Sequence, residues 1–361
     1  MTANQQLHDL GQSLWIDNIT REMLDTGALA RYIDELCVTG LTSNPSIFDK
    51  AVAAGSDYDA DIRALYAKGD RGEQLFFDIA IADLQRAAEL FAPVHERTSG
   101  VDGYVSLEVS PTVADETQKT IAMAADLSAR ASRPNVYIKI PGTGAGLPAI
   151  TESIAAGIPI NVTLLFSREQ YLDAAEAYMA GLERRLEAGQ PLDIASVASV
   201  FVSRWDVAVG ADAGEELRNH LGIEMGKRTY KAYRDVLASD RWQRLESNGA
   251  RPQRLLWAST GTKDPNAPDT LYIHDLAAPD TVNTMPEPTL LALAEHGAPV
   301  TATLPVDGGD AEEQLARFEA AGIDLDALAE RLQVEGVAAF DKAWSDLLDS
   351  VEAKSSALAQ A

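Results

Sequence analysis

The segment RPNVYIKIPGTGAG, residues 133–146, sets Lys139 between Ile138 and Ile140 in a run that otherwise reads as a buried strand. An ammonium taken out of water is costly unless it is paired or gives up its proton. Two readings follow. In one, the lysine reaches out of the strand end or pairs with a carboxylate such as Glu108. In the other, burial favours the neutral amine and draws the lysine pKa down from its reference of about 10.4 toward the working pH. A neutral amine can attack a ketone. The iminium that results is an electron sink, so the neighbouring carbon-carbon bond can break and leave an enamine on the protein. Such chemistry needs a carboxylate to move protons, and Asp17 and Glu108 are candidates.

Lys139 belongs to a series. Polar residues stand where apolar segments end: Asp17, Asn44, Glu108, Lys139, Asn161 with Thr163, Ser199 with Arg204, and Ser259 with Lys263. Each also has an ordinary reading. Asp17 before Asn18 suits a helix cap or a turn, and Asn44 before Pro45 is a common turn opening. Arg204 beside Asp206 suits an ion pair, and Lys263 in GTKDP suits a solvated loop. Alternation alone leaves open whether Glu108 points inward or outward. One cavity onto which all the strand ends converge accounts for the whole series together, which no ordinary reading does.

The elements that must position these groups are legible as short apolar, β-branched runs at 13–18, 37–45, 103–111, 135–142, 158–166, 194–204, 254–262 and 281–286. Between them, stretches such as REMLDTGALARYIDEL and SREQYLDAAEAYMAGLERRLEAG carry apolar residues at three- and four-residue spacing. Strand and helix in alternation predict a parallel sheet with crossover helices, and eight units predict a (β/α)8 TIM barrel. The connections 46–102 and 205–253 are long enough for additional helices. A single domain over 1–361 is expected, with the barrel at about 12–300 and a C-terminal helical extension at about 310–361 that covers one mouth.

Composition narrows the function. The 361 residues carry a formal net charge of -25, which repels nucleic acid and acidic membranes and allows an anionic small substrate only at a local cluster of Arg or Lys. No apolar run approaches the length of a membrane helix and the first residues lack a leader pattern, so a cytoplasmic protein is expected. The single cysteine, Cys37, reads as a packed thiol. Five scattered histidines show no metal-ligand spacing, so no metal is expected, and GTGAG is not a dinucleotide fingerprint, so dinucleotide and nucleoside triphosphate binding lose their usual signature.

In chain order, IDNITREML, GLTSNPSIF, VSLEVSP, NVYIKIPGT, NVTLLFS, VASVFVSRWD and LLWASTGTKDP resemble transaldolase, and the phrasing is most similar to the longer bacterial, actinobacterial form. The resemblance implies a cofactor-free (β/α)8 transferase of the pentose phosphate pathway, acting on small sugar phosphates; a monomer or homodimer is expected. It implies a Schiff base at Lys139 with a ketose phosphate, and proton transfer at the C4 hydroxyl by Asp17. A water held by Glu108 and Thr163, and hydroxyl contacts from Asn44, Asn161 and Ser199, are implied as well. The phosphate would meet Arg204, Ser259 and Lys263. Where many transaldolases have an arginine soon after the seventh-strand serine, this chain has STGTKDP, so Lys263 must reach from a slightly longer loop. A fructose 6-phosphate aldolase, which would release free dihydroxyacetone, and a non-catalytic sugar phosphate binding barrel are the alternatives on the same fold.

Overall fold

The eight apolar runs form β1 (Ser13–Ile16), β2 (Val38–Thr42), β3 (Val105–Glu108), β4 (Val136–Pro141), β5 (Ile160–Leu165), β6 (Ser196–Phe201), β7 (Gln253–Ala258) and β8 (Thr281–Met285). All pair in parallel and in sequence order, and β8 closes on β1, giving a (β/α)8 barrel ringed by helices. This computed structural model describes residues 2–210 and 214–360; Met1, residues 211–213 and Ala361 of the expected domain lie outside the described residues.

Side-chain parity explains the lysine. Ile138 and Ile140 of β4 face outward into the large core beneath the helices, as do Leu107 of β3, Ile160 and Val162 of β5, and Leu255 and Trp257 of β7. The alternate positions face the lumen, because successive strand residues point to opposite faces. Trp15, Tyr137, Val197, Leu256 and Val282 fill its lower part as a separate apolar cluster. Two residues further along their strands come Asp17, Lys139, Ser199, Ala258 and Thr284, all of which border one cavity. Glu108 shares this inward parity and is buried, which settles the orientation that alternation left open.

The strands are shorter than the apolar runs, since their ends leave the ladder to form the rim. The run 194–204 stops being strand at Phe201, and Arg204 lies in the first turn of a short helix, Ser203–Val209. The expected helix over 21–36 is two, Arg21–Asp25 and Ala28–Glu35, broken at Gly27, whose φ of 72° suits glycine. The connection 46–102 holds three helices, the last of them Gly72–Arg97.

At the N-terminal ends of the strands, Asp102 accepts hydrogen bonds from Trp15 Nε1 (2.8 Å), the Ser13 hydroxyl and the Gly103 amide (3.0 Å). Arg254 Nη2 donates to Ser13 Oγ and to the Thr281 carbonyl, both at 2.7 Å. This base cluster ties β1, β7 and β8 to the entry of β3.

At the opposite end, the helix Leu325–Gln360 crosses the mouth. Gln333 Nε2 donates to the carbonyls of Gly142 (3.1 Å) and Leu164 (3.0 Å), just beyond β4 and within β5. One further turn along, Gly336, Ala339, Phe340 and Ala343 border the cavity. Trp344 then docks on Phe76 and Phe77, with ring centroids 5.0 and 5.4 Å away, and Ser350 bonds Asp49 at 2.6 Å. The extension thus covers one mouth, as its amphipathic sequence predicts, and we refer to it as the roof helix.

Candidate active site

Lys139 and Glu108 are register partners on β4 and β3, and Lys139 Nζ donates to Glu108 Oε2 at 2.7 Å. Both are nearly shielded from solvent, with side chains 12% and 8% exposed. Of the two sequence readings, the pairing one describes the resting geometry. Adjacent strands in a parallel ladder are close enough for such a pair, and neither residue alone would be tolerable at this depth.

Asp17 follows β1 directly, its amide bonded to the Met285 carbonyl at 3.0 Å. Burial pushes its carboxyl up to about 6, against the opposing attraction of Lys263 and then Lys139. A carboxyl that titrates there is suited to take and return a proton near neutral pH. Lys263 lines the cavity from an exposed loop position, on the side where its charge reaches Asp17.

Arg204 borders the same cavity of about 380 Å3. Its Cζ lies 4.9 Å from the centre of the Phe201 ring, and among the described residues it has no carboxylate within ion-pair distance. The ordinary reading of an ion pair with Asp206 does not hold: that carboxylate instead accepts from the amides of Leu221 (2.9 Å) and Gly222 (3.2 Å) and from Tyr272 Oη (2.8 Å). Among the described residues no hydrogen bond occupies the guanidinium donors. Ser259 also lines the site, in the left-handed region at φ 56°, and shares a hydrogen bond of 2.9 Å with Ser203 at the start of the Arg204 helix.

The hydroxyl and amide groups divide into two levels. Thr163 and Ser199 border the cavity; Asn161, fully buried, does not, and holds the floor by donating to Ser106 Oγ (3.2 Å) and accepting from Ser199 Oγ (2.6 Å). Asn44 caps the helix Pro45–Ala54 through Oδ1, as its turn reading predicts, and still borders the cavity. Thr42 and Thr284, which share a hydrogen bond of 3.2 Å, and Phe201 are lining residues that the sequence reading did not select. Inward parity within GLTSNP and TVNTMP was the available signal for the threonines. Leu164 lines the cavity beside Thr163 because β5 bulges there, with Leu164 at φ 59°. Cys37 is half-buried away from this site, and burial pushes its thiol pKa up.

A family model described as Transaldolase/Fructose-6-phosphate aldolase matches residues 14–351. The chain belongs to this family. A transaldolase of Parafrankia sp. (strain EAN1pec) is 45% identical over 350 residues, covering 94% of this chain and 95% of the relative. One from Thermobifida fusca (strain YX) is 46% identical over 355 residues, covering 96% of each. Transaldolase 2 of Streptomyces coelicolor is 44% identical over 365 residues, covering 99% and 98%. The matched span crosses the barrel and the roof helix as far as residue 351, so the cavity-lining turns at 336–343 lie within it. Among the described residues, no helix is long and apolar enough to cross a membrane.

Proposed function

We propose that the protein is a transaldolase that moves a dihydroxyacetone unit between sugar phosphates through a Schiff base on Lys139. The observation that carries this reading is the shielded Lys139-Glu108 pair in a cavity that also presents the unpaired Arg204. Glu108 takes the ammonium proton, and the amine attacks C2 of fructose 6-phosphate or sedoheptulose 7-phosphate. Loss of water, with Glu108 and Thr163 holding the water that carries protons, gives the iminium. Asp17 removes the C4 hydroxyl proton as the C3-C4 bond breaks, and the bonding electrons move into the iminium to form an enamine. Glyceraldehyde 3-phosphate leaves from the six-carbon ketose, or erythrose 4-phosphate from the seven-carbon one. The other aldose phosphate then enters, the enamine attacks its aldehyde, and Asp17 returns the proton.

Asn44, Ser199 and the Asn161 floor hold the three-carbon unit, while Arg204, with Ser259 and Lys263, takes the phosphate. These cations meet the requirement for local positive charge on an acidic chain. A lysine serves there as a point charge and an arginine as a fork.

The test is borohydride reduction in the presence of fructose 6-phosphate, followed by peptide mass spectrometry. A dihydroxyacetone adduct on Lys139 is expected, with Lys139→Ala losing both adduct and transfer while its circular dichroism is unchanged. Product formation that requires erythrose 4-phosphate marks a transferase; free dihydroxyacetone without an acceptor would mark a lyase. Retained transfer by Lys139→Ala excludes the mechanism.

A further inference from the structure

The roof helix passes the Arg204 guanidinium at a glycine. Gly336 is interior to that helix, where glycine is less favourable than alanine because more backbone freedom is lost. Its φ is not in the left-handed region, so conformation does not demand it. Space does. A Cβ at this position would stand 3.1 Å from Leu164 Cδ2 and 3.3 Å from Arg204 Nη1. The guanidinium carbon also lies 4.9 Å from the centre of the Phe201 ring. The cation therefore sits in a slot bordered by an aromatic ring and by bare helix backbone.

The helix cannot retreat to enlarge the slot. Gln333, three residues before Gly336, is held by two carbonyls, and Trp344, eight residues after it, is buried against Phe76 and Phe77. Glu335 favours the charge on Arg204 through space, while its carboxylate lies 3.7 Å from Arg331 Nε. With the helix anchored on both sides of this turn, the volume at position 336 sets the space beside Nη1.

We propose that Gly336 is a specificity-determining position for the phosphorylated end of the substrate: its missing side chain lets Arg204 lie in the slot with its donor edge toward the cavity. This rests on the ketose phosphate reading of the site. A methyl group there displaces Nη1, and the phosphate then meets a misplaced fork, which weakens a bidentate contact more than a point-charge one. None of Lys139, Glu108 and Asp17 is among the atoms nearest that methyl group, so they keep their chemistry.

The experiment compares the wild type, Gly336→Ala, Arg204→Ala and the double variant. Gly336→Ala should raise KM for fructose 6-phosphate and the inhibition constant of inorganic phosphate by about tenfold, as when a charge-assisted hydrogen bond is weakened. The borohydride adduct formed from unphosphorylated dihydroxyacetone at Lys139 should be unchanged. In the Arg204→Ala background, Gly336→Ala should add nothing, since its effect runs through that arginine. Tm should hold or rise, because alanine is the better helix former. Unchanged KM and phosphate inhibition overturn the proposal, as does a marked fall in Tm, which would assign the glycine to packing against Leu164. A wild type that forms no adduct at all would instead overturn the enzymatic reading beneath it.

Discussion

At the scale of single residues, Asp17 joins function to a stability cost. Burial raises its carboxyl to about 6, whereas an aspartate in an unfolded chain titrates near pH 4. Between those values the folded chain holds the proton more tightly, so stability declines as pH climbs through the interval, and the full cost of the buried charge is present above it. Asp17→Asn should therefore raise Tm by a few degrees at about pH 7.5, with a smaller gain at about pH 5. The same variant should lose about 10²- to 10⁴-fold in the rate of cleavage with little change in KM. For the wild type, kcat/KM should fall as pH drops below about 6, because the base must be ionised to accept the hydroxyl proton. A pH profile that stays level through that region would take the proton transfer away from Asp17.

At the scale of elements, the Arg204 helix is only seven residues long and is positioned by its neighbours. Asp206 ties it to the start of the helix Leu221–Ala238 and to Tyr272, and burial pushes this carboxyl too up to about 6. Asp206→Ala strands three donors and should cost about 2–4 kcal/mol in urea unfolding, the sum of a lost cap and unpaired buried groups. KM for phosphorylated ketoses should rise with it, and a variant as stable as the wild type would show that the carboxylate anchors nothing. Strand identity was readable because each strand is a single β-branched run, and the lysine was conspicuous because its outward neighbours are isoleucines. Arg204 was placed on a strand end, since nothing local shows that Ser203 bonds the Ser259 carbonyl and starts a helix. The roof residues were beyond local reading for a different reason. Gly336 and Ala339 are unremarkable in a helix until the helix is laid across a barrel, and that placement depends on Gln333 finding two carbonyls more than 160 positions away. Asn161 reads as a ligand residue and turns out to be the floor, a distinction of depth that strand parity does not carry.

Across the whole molecule, a net charge of -25 surrounds a cavity that presents Lys139, Arg204 and Lys263. A sugar phosphate is repelled at long range and attracted only on entry. Raising ionic strength from about 0.01 to 0.15 M shortens the Debye length from about 30 to 8 Å, which screens distant carboxylates more than contacts inside the cavity. kcat/KM for fructose 6-phosphate should therefore rise over this range, and a steady fall would show that the local cations govern the approach. The base cluster lies at the far end of the strands from all of this. Ser13→Ala, which deprives Asp102 of a donor and Arg254 of an acceptor, should lower Tm by several degrees and leave kcat as it was; a matching drop in kcat would show that the two ends are coupled.

Many enzymes trade heat resistance against turnover because the same residues serve both. Here the Asp102 knot and the lysine occupy opposite ends of the same eight strands. A lineage moving to a warmer habitat, or an engineer seeking a sturdier catalyst, can rework one end of this barrel while the other goes on working.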